Sequence, residues 1–352
     1  MGIKEHRQKI DRIDTEVVRL LNQRATLSIA IGQAKLKTNK GIYAPDREKE
    51  IFDRLAKLNK GPLSNEAFYS IYREVMSGSI SLEKSLHIAY LGTEGSFTHL
   101  AAKKKFGSQV DYDPCSSILE VFNRVEHGEC DYGVVPIENS IEGAVTHTFD
   151  ILVDSDLKVC SQVMLKISHN VLSNANLQSI KKIYSNPQVF GQCRDWLHKH
   201  LPDAQLIPMA STTLSAQKAH KEKNSAALAS TLAAEVYGLK VLKKNIQDVA
   251  HNTTRFLVVS NQDVPPTGND RTSILFSIKD RVGALHAMLT PFFKYKINLT
   301  KIESRPSKKR AWDYYFFVDF EGHREDKNVK KALDQLEGMC KHLKIVGSYP
   351  VI

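Results

Sequence analysis

His251-Asn252-Thr253-Thr254-Arg255 runs directly into the apolar stretch Phe256-Leu257-Val258-Val259. Short hydroxyl and amide side chains with a guanidinium, at the edge of a buried strand, stand at a fixed point on a rigid element, which is how a small anion is usually held. The same residues also read as a capped loop entering a core strand. A second candidate lies near the N-terminus, where Arg24 and Lys35 fall on or beside an apolar helical stripe. Cations inside a bundle need anions, unless both side chains snorkel to solvent. No phosphate-binding loop and no metal-ligand cluster is evident. Cys193, His198 and His200 read as helix-surface groups rather than ligands, so neither a cofactor nor a metal is expected.

The chain has 352 residues, 42% of them hydrophobic, which suits two or three soluble globular domains. Its 49 Lys+Arg against 39 Asp+Glu give a net charge of +10. The basic residues form only short runs, Lys103 to Lys105 and Lys308 to Arg310, without interleaved aromatics, so they read as solvated faces and no nucleic-acid partner is expected. An anionic small-molecule substrate suits the charge equally well. No apolar run reaches the roughly 18 residues of a membrane span, and the charged segment Met1 to Asp11 has no signal core, so a cytoplasmic protein without a membrane partner is expected. Five widely spaced cysteines without a C-x-x-C read as reduced, packed thiols.

Residues 4 to 37 read as one amphipathic helix, with Ile10, Ile13, Val17, Leu20, Leu21, Leu27 and Ile31 at three- and four-residue spacing. Its length exceeds what a small domain covers, so an intermolecular bundle, a homodimer or higher homo-oligomer, is expected. After Asn39-Lys40-Gly41, a second helix opens behind Pro45 and a third spans about Asn65 to Leu86. From Ser85 onward strands and helices alternate. The turn Thr93-Glu-Gly-Ser96 before a helix reads as an anion seat, and polar Glu138-Asn-Ser-Ile-Glu-Gly143 follows the strand Tyr132 to Ile137. A second α/β lobe contains Ile183-Tyr184-Ser185 and Asn186 to Cys193, so a cleft between two lobes is expected. Gln262 to Asp270 reads as a linker. Beyond it the order is β-α-β-β-α-β, the ferredoxin-like arrangement.

Three resemblances cover most of the chain. The first three helices, with Arg7, Arg24, Lys35, Arg47 and Glu48, resemble the all-α chorismate mutase fold. The resemblance implies that Arg24, Lys35, Arg47 and Glu48 bind chorismate, that Arg7 reaches the partner subunit's site, and that Lys35 meets the breaking ether oxygen. The second donor to that oxygen, often Gln, would be Glu83, with Ser79 one turn before it. Ala44 stands where some members have Asp. The motifs YLGTEGSFTHLAA, DYGVVPIENSIEGAV, IYSNPQVFGQC and NTTRFLVV resemble prephenate dehydratase, whose two-lobed α/β fold is similar to type II periplasmic binding proteins. There Thr254 would be catalytic, with Glu138, Asn139, Ser185, Gln192 and Arg255 lining the site. Asn186 replaces a frequent His. Gly283-Ala284-Leu285 and Glu303-Ser304-Arg305-Pro306 resemble the phenylalanine-binding ACT domain.

The implied organisation is 1–86 mutase, 87–262 dehydratase and 272–352 regulatory domain. The implied function is rearrangement of chorismate to prephenate, then dehydration and decarboxylation of prephenate to phenylpyruvate, with L-phenylalanine as the feedback effector. A non-catalytic amino-acid sensor, or arogenate as the dehydratase substrate, stands as the alternative.

Overall fold

A computed structural model describes residues 2–37, 43–278, 282–306 and 314–351. The break at Asn39-Lys40-Gly41 and the basic run Lys308 to Arg310 lie outside them. The chain forms two compact units, one of Met1–His87 with Lys105–Asp111, the other of Ile88–Lys104 with Tyr112–Ile352.

The smaller unit is built on α1 (Ile3–Lys37), α2 (Pro45–Leu58) and α3 (Asn65–Glu83). Pro45 starts α2 with its φ already helical, but Ala44 at the N-cap offers no side-chain acceptor. Ser64 caps α3 by accepting the Ala67 amide. Ile51, Phe52 and Leu55 of α2 pack on Tyr69, Tyr72 and Met76 of α3. Ile10, Ile13, Val17, Leu20 and Leu21 on α1 stay 41–61% exposed, so the chain itself leaves this apolar stripe largely open.

The larger unit begins with β1 (His87–Leu91), α4 (Phe97–Phe106, whose last two residues belong to the smaller unit), β2 (Asp111–Cys115), α5 (Ile118–Glu126), β3 (Tyr132–Asn139), β4 (Gly143–Ala144), α6 (Thr146–Asp154) and β5 (Lys158–Lys166). The chain then crosses to a second lobe of β6 (Asn170–Ser173), β7 (Lys182–Ser185), α7 (Pro187–Gln192), α8 (Arg194–His200), β8 (Gln205–Pro208), α9 (Thr212–Lys221), β9 (Ser225–Ala229), α10 (Thr231–Val236) and β10 (Lys240–Lys243). It returns as β11 (Thr253–Ser260), which slots between β3 and β5 in the order β2-β1-β3-β11-β5. The second lobe has the order β10-β6-β9-β7-β8. Two crossings make the hinge, tied together by Ile167 N–H to Asn252 O (2.8 Å) and Ile246 N–H to His169 O (2.9 Å).

The C-terminal sheet, β12 (Asp270–Ser277), β13 (Leu299–Pro306), β14 (Tyr314–Glu321) and β15 (His342–Pro350), is antiparallel in the order β13-β14-β12-β15, with α11 (Ala284–Lys294) and α12 (Lys327–Glu337) on one face. Side chains alternate across it, as the period of two requires. Ile274, Phe276, Val318 and Phe320 pack under the helices. Leu275, Phe317, Val346 and Tyr349 face the other way and join Phe149, Leu152, Val159 and Leu257 in one core.

That shared core corrects the reading of Gln262 to Asp270 as a free linker. Val264 and Asp270 are buried, the Asp270 carboxylate accepts from the Thr267 and Gly268 amides, and His323 donates to the Val264 carbonyl. Pro and Gly mark irregular backbone, but irregular backbone can be packed when its polar groups are satisfied locally.

β15 approaches β5 closely at Gly347, where an added Cβ would lie 2.2 Å from Val159 O and 2.8 Å from Val159 N. Gly347→Ala is therefore expected to destabilise the larger unit by about 1–3 kcal/mol, lowering its thermal midpoint. Gly338→Ala, with nothing nearer than 3.7 Å, serves as the neutral control. Equal midpoints for the two variants would refute this packing.

Candidate active sites

The helical unit encloses a cavity of about 530 Å³, lined by Arg24, Lys35, Arg47, Glu48, Ser79 and Glu83. This volume is that of a small-molecule site. Ser79 donates its proton to the Val75 carbonyl (2.7 Å), so its oxygen receives the Arg24 guanidinium. Burial, opposed by Tyr72, holds Arg24 below the usual arginine value. Lys35 Nζ stands 3.8 Å from Glu83 Oε2, whose side chain is only 8% exposed. Glu83 Oε2 has no hydrogen-bond partner among the described residues. Burial pushes the Glu83 carboxyl up, and Lys35 and Arg24 partly offset that rise. Gly32, one turn before Lys35, makes the arrangement possible, because a Cβ there would meet Glu83 Cγ at 2.7 Å. A mid-helix glycine costs about 1 kcal/mol relative to alanine, so the space it leaves has a use.

Glu48 is buried, its Oε2 accepting from Tyr43 Oη and Lys105 Nζ at 2.6 Å each. This corrects the reading of Lys103 to Lys105 as a solvated face, since Lys105 is 8% exposed. Arg47 pairs with Glu50 in an exposed ion pair (2.6 Å). Sequence reasoning missed Tyr43, Arg54, Tyr72, Arg73 and Lys105, all of which line the cavity. The period of α1 finds only residues on α1, and nothing local marks Lys105. Arg7 lies outside the cavity, about 26 Å from Arg24 along α1 at 1.5 Å per residue.

In the larger unit, Thr254 pairs opposite Asn139 and Arg255 opposite Glu138 across β11 and β3. Directly opposed residues share a face and neighbours along a strand take opposite faces. Thr254 and Asn139 therefore meet at the cleft, Asn139 Nδ2 donating to Thr254 Oγ1 at 2.8 Å. The direction is determined, because Asn139 Oδ1 already accepts the Ile141 and Glu142 amides at 2.9 and 3.1 Å. Asn139 Nδ2 also reaches Asn252 Oδ1 (2.8 Å), and Asn252 Nδ2 reaches Gln192 Oε1 (3.2 Å). Glu142 spans the two lobes, accepting from Gln188 (2.6 Å) and Gln192 (2.9 Å). Glu142, Gln188 and His169 were not singled out from the sequence as site residues, whereas Asn252 belongs to the polar stretch 251–255 read there as a candidate.

Five features read from the sequence serve other contacts. Ser185 is fully buried and donates to Leu228 O at 2.9 Å. Asn186 caps α7 by accepting the Gln188 amide, a use that asparagine serves as well as any residue. Arg255 turns away from the cleft, to Asp319 (2.5 Å), Tyr349 (2.8 Å) and Gln162 (2.9 Å), and Glu138 accepts from Lys301 (2.8 Å). Burial with Asp319 alongside pushes the Tyr349 phenol up to about 12. The expected anion seat at Thr93 to Ser96 is occupied internally, the Gly95 amide donating to His99 Nδ1 at 3.1 Å.

Among the predicted effector residues, Gly283 caps α11 with φ +75°, a conformation glycine adopts freely. Glu303 and Arg305 share the face of β13 turned to the first lobe, where Arg305 approaches Asp150 at 3.4 Å. Ser304 alternates to the other face, opposite Phe316.

Residues 6–84 match chorismate mutase type II, residues 88–264 prephenate dehydratase, and residues 272–338 the ACT domain. A bifunctional chorismate mutase/prephenate dehydratase from Aquifex aeolicus (strain VF5) is 48% identical, over 99% of this chain and 98% of that protein. Among solved structures, a prephenate dehydratase from Arthrobacter aurescens in complex with L-Phe is 33% identical with a TM-score of 0.70, covering 76% of this chain and 90% of that one. GqqA, described as a novel type of quorum quenching acylase, is 26% identical with a TM-score of 0.71, over 76% of this chain and 98% of that one. One fold thus carries differently described activities, and the full-length match with three domains in order makes the narrower assignment. The chain belongs to the bifunctional chorismate mutase/prephenate dehydratase family.

Proposed function

We propose that the chain converts chorismate to prephenate in the cavity of the helical unit and prephenate to phenylpyruvate in the cleft around Thr254, with domains at 1–86, 87–262 and 272–352. The determined direction of the Asn139–Thr254 hydrogen bond carries the dehydratase reading. With one lone pair of Oγ1 taken by Asn139, the threonine proton is free to donate to a ligand hydroxyl. In prephenate the bond from the ring to its carboxylate breaks, its electron pair restores aromaticity, carbon dioxide departs, and the C4–OH bond breaks. The leaving oxygen takes a proton supplied by solvent and departs as water. A neutral threonine is too weak an acid to lose its proton outright, so Thr254 orients and hydrogen-bonds the leaving hydroxyl.

The mutase reaction is unimolecular. It needs its dianionic substrate folded and charge on the ether oxygen stabilised. Arg24, Arg47 and Ser79 supply the binding groups, and Lys35 with protonated Glu83 supplies two donors to that oxygen.

L-phenylalanine is the proposed effector, acting through the C-terminal domain, in keeping with the L-Phe complex of the Arthrobacter aurescens dehydratase. Arg255 and Glu138, next in sequence to Thr254 and Asn139, hold that domain through Asp319 and Lys301. Movement of the regulatory sheet would therefore reach the catalytic pair through one residue of backbone. An effector shifts cleft geometry only if it binds the two states unequally. A cytoplasmic homodimer is proposed from the exposed stripe of α1, and no helix among the described residues is long and apolar enough to cross a membrane.

Thr254→Ala should lower prephenate turnover by about 10²-fold or more and leave chorismate turnover unchanged. Parallel assays with chorismate, prephenate and arogenate test this, and equal loss of every activity would point to misfolding instead. Glu83→Gln should abolish the fall in mutase turnover as pH rises. The raised carboxyl of Glu83 keeps its proton to higher pH than an ordinary glutamate, and deprotonation replaces a donor with a negative charge. An unchanged pH profile would remove Glu83 from the ether-oxygen role. Sedimentation should give a dimer, and mixing the inactive Arg7→Ala and Arg24→Ala chains should restore part of the mutase activity. A fully active monomer would contradict both expectations.

A further inference from the structure

We propose that His169 is a positioning residue of the dehydratase. Its Nε2–H donates to the Gln192 carboxamide oxygen and so steadies the Gln192–Asn252 end of the hydrogen-bond chain that reaches Asn139 and Thr254. This rests on the assignment of the Thr254 cleft made above.

His169 lies on the first hinge crossing, between β5 and β6, and is 2% exposed. Both its backbone groups are tied to the second crossing, its amide to Gln247 Oε1 (3.1 Å) and its carbonyl to the Ile246 amide (2.9 Å). The ring stands edge-on to Phe97, with centroids 5.5 Å apart. Its Nε2 is 2.8 Å from Gln192 Oε1.

Donor and acceptor roles along the chain follow from its two ends. The Glu142 carboxylate only accepts, so the Gln192 nitrogen faces it and the Gln192 oxygen faces His169 and Asn252. That oxygen cannot donate, so His169 carries its proton on Nε2 and Asn252 presents its nitrogen. Asn252 Oδ1 then turns to Asn139 Nδ2, which also donates to Thr254. From the other end, the Ile141 and Glu142 amides impose the same orientation on Asn139. His169 is thus the donor that completes the coordination of the Gln192 oxygen from the hinge side.

His169 Nδ1 is buried without a hydrogen-bond partner among the described residues. An unpartnered buried nitrogen costs stability, and an apolar side chain would fill the same space without it. The cost is intelligible if the donor at Nε2 is needed. Burial lowers the His169 pKa, outweighing the Gln192 hydrogen bond that raises it, which favours the neutral ring with one proton.

The test compares His169→Leu, His169→Gln and His169→Asn in the full chain, with mutase turnover as the internal control of folding. Gln places an amide nitrogen near the position of Nε2, whereas Asn places it near Nδ1. His169→Leu and His169→Asn should lose about 10²-fold in dehydratase kcat with KM little changed. His169→Gln should recover most of that loss. In a Gln192→Ala background His169→Leu should add almost nothing, because the two residues act through one oxygen. Should the leucine variant not fold, the Asn and Gln variants decide alone. Equal activity of the Asn and Gln variants, or losses that multiply in the double variant, would overturn the proposal. Thr254→Ala assayed alongside separates the two readings. If it stays active the site assignment fails, whereas an inactive Thr254→Ala beside a fully active His169→Leu removes only the role of His169.

Discussion

The register of β11 against β3 is the constraint on which the larger unit depends. Setting Thr254 opposite Asn139 puts two hydrogen-bonding side chains on the cleft face, and the next pair, Arg255 and Glu138, must then face the regulatory sheet. A slip of one residue would exchange the two pairs, placing a guanidinium in the cleft and a threonine against Asp319. The apolar run Phe256 to Val259 resists such a slip, since these residues are buried on both faces of the central strand. Core packing thereby holds the position of a polar pair.

The Arg255 contacts show why the regulatory domain is not a loose appendage. A buried guanidinium is tolerable only when its donors are satisfied, and three different residues satisfy it, with Ser273 completing Asp319 at 2.6 Å. Removing Asp319 would leave an uncompensated buried charge, a loss of about 3–5 kcal/mol for an ion pair of this kind. Lys301 and Lys344 add contacts of the same type, the lysine amine of residue 344 reaching the carbonyls of Leu152 and Val153 at 3.0 and 3.1 Å. Charged, directional contacts around an apolar core give the interface discrete arrangements rather than continuous sliding, which is what an effector-driven switch requires.

The helical unit solves a different electrostatic problem. Its cavity concentrates cations, and like charges brought together without a ligand repel one another. Glu48, paired with Lys105, tempers that repulsion within the walls, and Glu83 stands 3.8 Å from Lys35. The two acids differ in their partners. Glu48 has a lysine and a tyrosine at hydrogen-bond distance, whereas Glu83 keeps an oxygen unpartnered among the described residues and has its carboxyl pushed up. Only the second suits a residue that must hold a proton and give a hydrogen bond.

The three-part organisation, the two-lobed fold and the lining residues Arg24, Lys35, Arg47, Glu48, Ser79 and Glu83 of the helical cavity were legible from the sequence, because periodicity and turn residues are local and because motifs such as NTTRFLVV are contiguous. Thr254 and Asn139 were legible as candidates for the same reason. Which way each side chain points was not, since Glu138 and Asn139 are adjacent letters separated only by the pleat of a strand. Lys105 and His169 escaped because their roles come from partners 57 and 23 residues away, brought together by hinge crossings and helix ends. The packed strap at residues 262–270 was invisible for a related reason. Pro, Gly and Asp signal that the backbone leaves regular structure, but whether it then meets solvent or a neighbouring domain depends on surfaces that exist only once the chain has folded.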